Sequence, residues 1–465
     1  IMGEKPLTAS GHVGGFSDPL IECNNCANKE RTDSLLEKDL DYTKILNEIE
    51  KNLKILEKKL TPEEKKESQK ALNTANAMSS SERKGLEVFD VDDLNFDINK
   101  MDYAVTKDLA LRGKKYQGQL PGYFFEIKKI KCEKCNKVDW ANEAHEFNLM
   151  LKTQLGASSD TSSTGYLRPE TAQGIFVNYK NIMDSMHPKI PFGVAQIGKA
   201  YRNEITPRNF IFRLRELEQM EIEYFIHPDT WQAEFDYWKD EMNEWAEMIG
   251  LDMSKLHEVE IGEDDRAHYS DRTIDFEFDY PFGQKELYGL AYRTDYDLKK
   301  HAEASKTKLQ YTDPIKNETF VPHVIEPSMG LDRTILAVLT SAYREDEIDG
   351  NTRSYLALAP SVAPYKIAVS PLVKNKEHIV NEANKVFGVL KAEFGNVAWD
   401  DNGNVGKRYR RQDEIGTPFC VVVDYDTLEE GNDNIGTVSV RHRDTGEQER
   451  VAINDLTEYF AEKLK

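Results

Sequence analysis

Apolar and polar positions alternate in several rhythms along this chain. From 34 to 60, Leu36, Leu40, Ile45, Ile49, Leu53, Leu56 and Leu60 recur at mostly three- and four-residue steps among Glu and Lys, which predicts a long amphipathic helix. Thr61-Pro62-Glu63-Glu64 restarts a helix, with Thr as cap, Pro in the first turn and acids at the positive dipole end. Together they predict a helical hairpin or arm. Residues 229–250 predict an aromatic-rich helix. Residues 201–204 and 213–225 alternate instead, predicting two strands joined by a loop at Thr206-Pro207-Arg208-Asn209. One face of the second strand carries Arg213, Arg215, Leu217, Gln219, Glu221 and Glu223. The other carries Leu214, Met220, Ile222 and Tyr224, interrupted by Glu216 and Glu218. Such a hairpin is often half exposed, but a row mixing arginines with carboxylates also suits a ligand bearing phosphates and an amine. A strand over 287–295 sets Gly289, Ala291 and Arg293 on one face and Tyr288, Leu290 and Tyr292 on the other. Ala359-Pro360-Ser361-Val362-Ala363-Pro364 reads as a linker. After it come strands at 367–369 and 419–423 and helices over roughly 376–394 and near 454–464, an α/β unit.

Composition narrows the class. With 465 residues, 39% hydrophobic and 31% charged, the chain suits a soluble globular protein of two or three domains. No apolar run reaches the roughly 18 residues a membrane span needs. Ile1-Met2-Gly3-Glu4-Lys5-Pro6 lacks the apolar stretch and cleavage site of a signal peptide, so a cytoplasmic location is expected. A chain that opens on Ile1 and reaches a glycine-rich loop by Gly11 is also expected to lack upstream sequence. The net charge of −21 argues against a nucleic-acid partner. Binding needs only a local patch, however, and Lys407-Arg408-Tyr409-Arg410-Arg411 puts four positive charges into five residues. A solvated basic loop is the alternative. Of five cysteines, four form the pairs Cys23-x-x-Cys26 and Cys132-x-x-Cys135. Two such pairs can complete a tetrahedral four-thiolate zinc site if the chain folds back to join them. Four reduced thiols without metal are the alternative.

Arg202-x-Glu204, a loop, then Arg213-x-x-x-Leu217-x-x-x-Glu221 resembles motif 2 of the class II aminoacyl-tRNA synthetases. Glu326-Pro327-Ser328-Met329-Gly330-Leu331-Asp332-Arg333, followed by an apolar helix from Thr334, resembles their motif 3. Several segments resemble the glycine branch of that family: 8–19 from Thr8 to Pro19, Phe147-Asn148-Leu149-Met150, 166–174 from Tyr166 to Gly174, Ala195-Gln196-Ile197-Gly198 and 292–298 from Tyr292 to Leu298. Two features depart from the pattern. Leu217 stands where the family usually has the phenylalanine that stacks on adenine, and motif 1, the dimer-building helix and strand, is not found.

The resemblance implies an α+β fold: an antiparallel β-sheet flanked by helices over 1–358, N-terminally truncated, with a mostly helical insertion at about 34–130 and a C-terminal α/β anticodon-binding domain at 361–465. It implies a homodimer that joins glycine to tRNA(Gly) using ATP with Mg2+, with no membrane partner. It lays ATP along Arg202, Asn203 and Glu204, then Phe212, Arg213, Leu214, Arg215, Glu216 and Leu217, then Glu286 and Leu287, then Gly330, Leu331, Asp332 and Arg333. Arg202 and Arg333 are the catalytic cations: Arg202 on the α-phosphate, Arg333 toward the γ-phosphate with Arg213. Glu204 reads the adenine amine. The resemblance lays glycine among Arg31, Glu170, Leu217, Glu218, Gln219, Met220, Glu221, Arg293, Glu326, Ser328 and Gly330, with Glu170, Glu221 and Glu326 at the ammonium and Arg293 at the carboxylate. An ammonium wants several oxygen acceptors and a carboxylate wants a guanidinium fork. Lys407, Arg408, Arg410 and Arg411 are the tRNA candidates. A synthetase-like tRNA-binding accessory protein without ligase activity is the rival reading; retention of Arg202, Glu204 and Arg333 weighs against it.

Overall fold

The computed structural model describes residues 1–31, 130–141, 145–156, 163–263, 266–348 and 350–464, and the chain divides into two compact units. The helices expected at 34–60 and from Thr61, and with them nearly all of the 34–130 insertion, lie outside the described residues.

The first unit comprises residues 1–169 and 201–207. Strands Met2–Gly3 (β1), Lys152–Leu155 (β5) and Ser163–Tyr166 (β6) form one small sheet in the order β1-β6-β5. Strands Ser17–Glu22 (β2), Lys29–Arg31 (β3) and His145–Asn148 (β4) form another in the order β3-β2-β4. Helices Glu4–Ala9 (α1) and His12–Gly15 (α2) meet at Gly11, whose φ of 89° is the left-handed conformation glycine adopts most easily. Leu7, Met150 and Tyr166 pack beneath them.

The second unit comprises residues 170–200 and 208–465. Its centre is a six-stranded sheet of Phe192–Tyr201 (β7), Glu216–Ile226 (β8), Leu256–Glu260 (β9), Arg272–Tyr280 (β10), Gly283–Thr294 (β11) and His323–Gly330 (β14), in the order β7-β8-β14-β11-β10-β9. The pairs from β8 to β9 are antiparallel. A small hairpin, Tyr311–Asp313 (β12) with Glu318–Phe320 (β13), precedes β14. Helices Ala172–Met186 (α3) and Tyr296–Ser305 (α5) cover part of one face, packing Ile175, Phe176, Tyr179 and Leu298 on Phe225 and Val324. Helices Trp231–Met248 (α4) and Leu331–Ala342 (α6) cover the other, burying Phe276, Phe278, Tyr288, Leu290 and Tyr292. Tyr288, Leu290 and Tyr292 thus pack opposite Arg293, as their alternation predicts.

The two motif 2 strands differ from the expected bounds. β7 ends at Tyr201 and β8 begins at Glu216, so neither 202–204 nor Arg213 to Arg215 is strand. Asn209 and Phe210 both take positive φ, near 60° and 56°, which a continuing strand cannot hold.

A hairpin of Tyr343–Ile348 (β15) and Asn351–Leu356 (β16) leads to the C-terminal sheet. Ile367–Pro371 (β17), Val397–Trp399 (β18), Phe419–Val423 (β19), Thr437–His442 (β20) and Gln448–Ala452 (β21) run in the order β18-β17-β19-β20-β21. β17 is parallel to β18 and β19, β19 is antiparallel to β20, and every residue of β17 and β19 is buried, as continuous apolar runs in central strands require. Helices Glu377–Phe394 (α7), Val405–Glu414 (α8) and Leu456–Lys463 (α9) complete it.

Candidate active site

The charged row of β8 is its buried face. Gln219, Glu221, Glu223 and Phe225 are buried, while Met220, Ile222 and Tyr224 are half-buried. Simple patterning would turn those carboxylates to water. Here they face α3, α5 and Glu326 of β14. The same alternation turns the side chains of Glu218 and Met220, two of the expected glycine residues, to the opposite face, where Glu218 sits 3.6 Å from Lys199.

Cross-strand register assembles the rest. Gly289 pairs with both Ser328 and Asp275, and Ser328 pairs with Glu221, so one row crosses four strands. Ala291 pairs with Glu326, and the β8–β14 register sets Glu326 opposite Glu223. Added at Gly289, a Cβ would meet only Asp275 Oδ1, at 3.9 Å.

Glu221 sits at the N-terminus of α3. Its Oε2 accepts from the N–H groups of Thr171 (2.8 Å) and Ala172 (2.9 Å) and from the Thr171 hydroxyl; its Oε1 accepts from Gln219 Nε2 and Ser328 Oγ, both at 3.0 Å. First-turn N–H groups lack intrahelical partners and carry partial positive charge, so a carboxylate is stabilised there. Both oxygens that the sequence reading aimed at the substrate ammonium are therefore engaged within the protein.

Arg293, 1% exposed, is held on all sides. Its Nε and Nη2 donate to Asp297 at 2.8 and 3.1 Å, and its Nη1 donates to Glu326 Oε1 at 2.8 Å. The Tyr269 ring lies 3.8 Å from its guanidinium carbon. The fork that the sequence reading gave to a substrate carboxylate is taken by Asp297, one helical turn along the chain; a ligand meets the N–H groups that remain. Glu170 Oε1 accepts from Gln173 at 3.1 Å and lies 4.0 Å from Arg293. Burial works against the charge on Arg293, but Asp297 and Glu326 outweigh it and hold the guanidinium charged well above its ordinary range. Burial pushes the Glu326 carboxyl up to about 7 against the pull of Arg293. Five acids, Glu170, Glu221, Glu223, Asp297 and Glu326, thus share one buried cation, an arrangement that favours a ligand carrying positive charge.

Beside this lies the motif 3 arginine. Arg333 donates from Nη1 to the Glu286 backbone oxygen (2.9 Å) and carboxylate (3.1 Å), and its guanidinium stands over the Phe212 ring at 4.3 Å. Gly330 caps α6, after which come Leu331, Asp332 and Arg333; Asp332 accepts from the Glu218 N–H at 3.1 Å. Leu287 is a core residue, so only its backbone can meet a nucleotide. Asp275 is pushed up to about 7 by burial, with Glu286 and Glu277 adding and Arg333 opposing. In the first unit, Arg202 Nε donates to Pro169 O at 3.2 Å, the Asn203 N–H to Leu149 O at 2.8 Å and the Glu204 N–H to Arg202 O at 2.7 Å, while Arg31 pairs with Asp18 at 3.1 Å.

The two cysteine pairs meet. The four sulfurs lie within 4.8 Å of one another, with Cys23 to Cys135 at 3.6 Å and Cys26 to Cys132 at 3.7 Å. A tetrahedral zinc–thiolate site with bonds near 2.3 Å has sulfur–sulfur edges of about 3.8 Å, so the set fits. Each pair sits in the same turn. Ala27 N–H donates to Cys23 O (2.8 Å) and Asn136 N–H to Cys132 O (2.9 Å), with both Ala27 and Asn136 at positive φ.

The basic run is a helix rather than a loop. It lies in α8, capped by the Asn404 side chain, which accepts from the Lys407 N–H at 3.0 Å. Arg408 is buried and donates to the carbonyls of Pro371, Asp401 and Gly403. Arg411 pairs with Asp400 at 2.7 Å, and Arg410 donates to Thr352 O at 3.0 Å. The helical period disperses the four cations that sequence reading grouped, and Arg408 is a structural anchor.

Sequence reading also passed over Glu223, Thr171, Gln173, Tyr269, Asp275 and Asp297. For Glu223 the signal was present: it continues the row of Glu221. Tyr269 and Asp275 lie between motifs: Asp275 is brought in by pairing with Gly289 across the β10–β11 hairpin, and Tyr269, in the turn before β10, by stacking on Arg293.

Comparison with known proteins gives the family. The profile of the family described as tRNA synthetase class II core domain (G, H, P, S and T) matches residues 156–342, and that of the anticodon binding domain matches 366–463. A glycine–tRNA ligase of Alkaliphilus oremlandii is 41% identical over 466 residues, covering 100% of this chain and 85% of the relative. Glycine–tRNA ligases of Clostridium perfringens (41%) and Bacillus anthracis (39%) match with the same coverage.

Proposed function

This chain belongs to the glycine–tRNA ligase family of class II synthetases, and from that premise we propose how its residues divide the work. The reaction activates glycine with ATP, releasing pyrophosphate, and transfers the glycyl group to tRNA(Gly). The observation that carries the reading is the buried acid face around Arg293. Glycine has no side chain to grip, so it must be known by its two charges and by the absence of anything more. Its ammonium goes to the carboxyl groups of Glu170 and Glu326, and its carboxylate to the N–H groups that Asp297 and Glu326 leave on Arg293. Glu221 and Ser328 act as rigid wall, and Gly289, with Ala291 beside it on the same face, leaves room for the ligand. One methyl in a tolerant pocket changes affinity by only about 1–3 kcal/mol. A wall of carboxylates pinned by hydrogen bonds discriminates better, because an intruding methyl must break them.

The glycine carboxylate attacks the α-phosphate in line, and the chain's task is to orient it and stabilise the developing charge. Arg202 serves the α-phosphate, Arg333 and Arg213 the outer phosphates, and Glu204 the adenine amine, with Leu217 covering the purine. Class II synthetases take ATP with Mg2+, and Glu286 would meet the nucleotide or its metal. We assign a structural zinc to the four cysteines, a cytoplasmic location, and a homodimer as the working form; sedimentation of the full protein checks the last. No described helix is long and apolar enough to cross a membrane. The deciding experiment is pyrophosphate exchange with glycine, alanine and serine. Exchange with glycine alone supports the reading, while equal exchange with alanine overturns it.

A further inference from the structure

Glu223 is the one member of the acid face to which the reading above gives no task. It is fully buried, and neither carboxyl oxygen has a hydrogen-bond partner. An ionised carboxylate left so would cost several kcal/mol. The protein nevertheless places it opposite Glu326, across the β8–β14 pair, and two residues from Glu221 on the same face.

Its surroundings decide its charge. From its own strand it meets Glu221, from β14 Glu326, from β11 Arg293 and from α5 Asp297. Around the same group stand Glu170 and Tyr269, in the charge field of Arg293 and Glu326, and His301 of α5, bonded to Gln173 at 2.7 Å. The apolar residues that α3 and β7 bring to this face include Ile175, Phe176, Tyr179, Phe192 and Val194. The single cation is already bonded to Asp297 and Glu326. Burial, then the charge of Glu326, drives the Glu223 carboxyl well above the usual carboxylate range, with Arg293 opposing. Glu326 is itself pushed up to about 7.

We propose that the facing carboxyls of Glu223 and Glu326 hold one proton between them while the amino-acid pocket is empty, and that the pair gives this proton up to solvent when the glycine ammonium enters. The inference rests on the ammonium lying at Glu326, as assigned above. The chemistry balances: a carboxylic acid loses H+ to the buffer, and the negative charge it leaves is compensated by the cation that arrives. Glu223 is then a positioning residue that acts through Glu326. Its burial keeps the empty pocket from holding an excess of negative charge that nothing neutralises, and its ionisation strengthens the grip on a cation after one is present. The titration belongs to the pair and not to either residue.

The test is proton release. The full chain is titrated with glycine near pH 7 in phosphate and in Tris, and the difference in heat, divided by the difference in buffer ionisation enthalpy, gives the proton count. Roughly one proton released per glycine is expected, with affinity rising up to about tenfold per pH unit across the titration of the pair and levelling above it. Glu223→Gln should bind glycine with clearly less release than wild type and a shallower pH dependence, the remainder coming from Glu326, which burial alone still raises. Wild-type binding without release overturns the proposal, and so does a Glu223→Gln protein that releases as much as wild type. Wild type alone decides the matter if the variant does not fold. Glu170→Gln separates the two readings: if it leaves glycine affinity unchanged, the ammonium site has been misplaced, whereas weakened affinity with no proton release in wild type refutes the shared proton alone.

Discussion

Gly289 separates stability from substrate choice at a single atom. A Cβ there meets only Asp275 Oδ1, at 3.9 Å, and no left-handed conformation constrains the position. Gly289→Ala should therefore fold normally, and its melting temperature should stay level or rise slightly, since glycine within a strand is destabilising by roughly 0.5–1 kcal/mol relative to alanine. The new methyl lies on the row with Ser328 and Glu221. The KM for glycine should rise about 10-fold or more, with the KM for ATP little changed. Pyrophosphate exchange and a thermal melt read both, and an equal rise in the two constants would place Gly289 outside the glycine site. Arg202→Ala makes the opposite kind of change. Removing a cation from the developing α-phosphate charge should lower exchange by about 10²–10³-fold without unfolding the protein. Near-normal exchange in a folded variant would remove Arg202 from its assigned role.

At the scale of elements, Glu221 is as much part of helix α3 as of strand β8. Its Oε2 accepts from Thr171 and Ala172 at the helix start. Glu221→Gln would lose the charge that faces the dipole and turn one acceptor into a donor, a cost of about 1–3 kcal/mol. The melting temperature should fall together with glycine affinity; an unchanged melt would mean the cap is dispensable. The sequence could reveal that Glu221 belonged to a row, because period-two alternation is local. It could not reveal that the row was buried or that its acids were already engaged, because the donors come from Thr171 and Ser328, 50 and 107 residues away. Arg293 teaches the same lesson: its face was legible from Gly289 and Ala291, whereas its partner Asp297 lies on the following helix, beyond the reach of a strand pattern. The basic run shows a different limit. Four cations in five residues say nothing of period, and a helix points them in different directions. The two cysteine pairs were legible as units from their spacing, whereas their meeting was not, because Cys26 and Cys132 are 106 residues apart. Elemental analysis should find roughly one zinc per chain, and replacing Cys26 and Cys135 together by serine should abolish it. A full complement of metal in that variant would refute the site.

Across the whole molecule, the C-terminal sheet is tied through Asp413 to the β15–β16 hairpin that precedes it. This buried carboxylate accepts from Arg353 of the β15–β16 hairpin at 2.9 Å and from Arg441 at 2.8 and 3.0 Å. Gly416 closes against the same connection, with φ of +83° and room for no Cβ beside Leu358. Asp413→Asn leaves two buried guanidinium groups short of charge, at a cost of about 3–5 kcal/mol. Charging of tRNA should fall, while glycine-dependent pyrophosphate exchange, which needs only the core, should persist. If both fall equally, the C-terminal sheet supports the core itself. With a net charge of −21, tRNA must be met by a local patch. Lys407 and Arg410 remain candidates for it, and reversing Lys407 to Glu should weaken charging without changing exchange. The knuckle pair, finally, bears on how such a chain can change length. Cys26 and Cys132 are 106 residues apart in sequence yet adjacent in space, so both ends of the intervening stretch are pinned at a fixed gap. Closing a loop costs only about 0.6 kcal/mol more for each doubling of its length. A segment inserted or removed between those two turns should therefore change the cost of closure little, because the four thiols meet at the same gap whatever length lies between them.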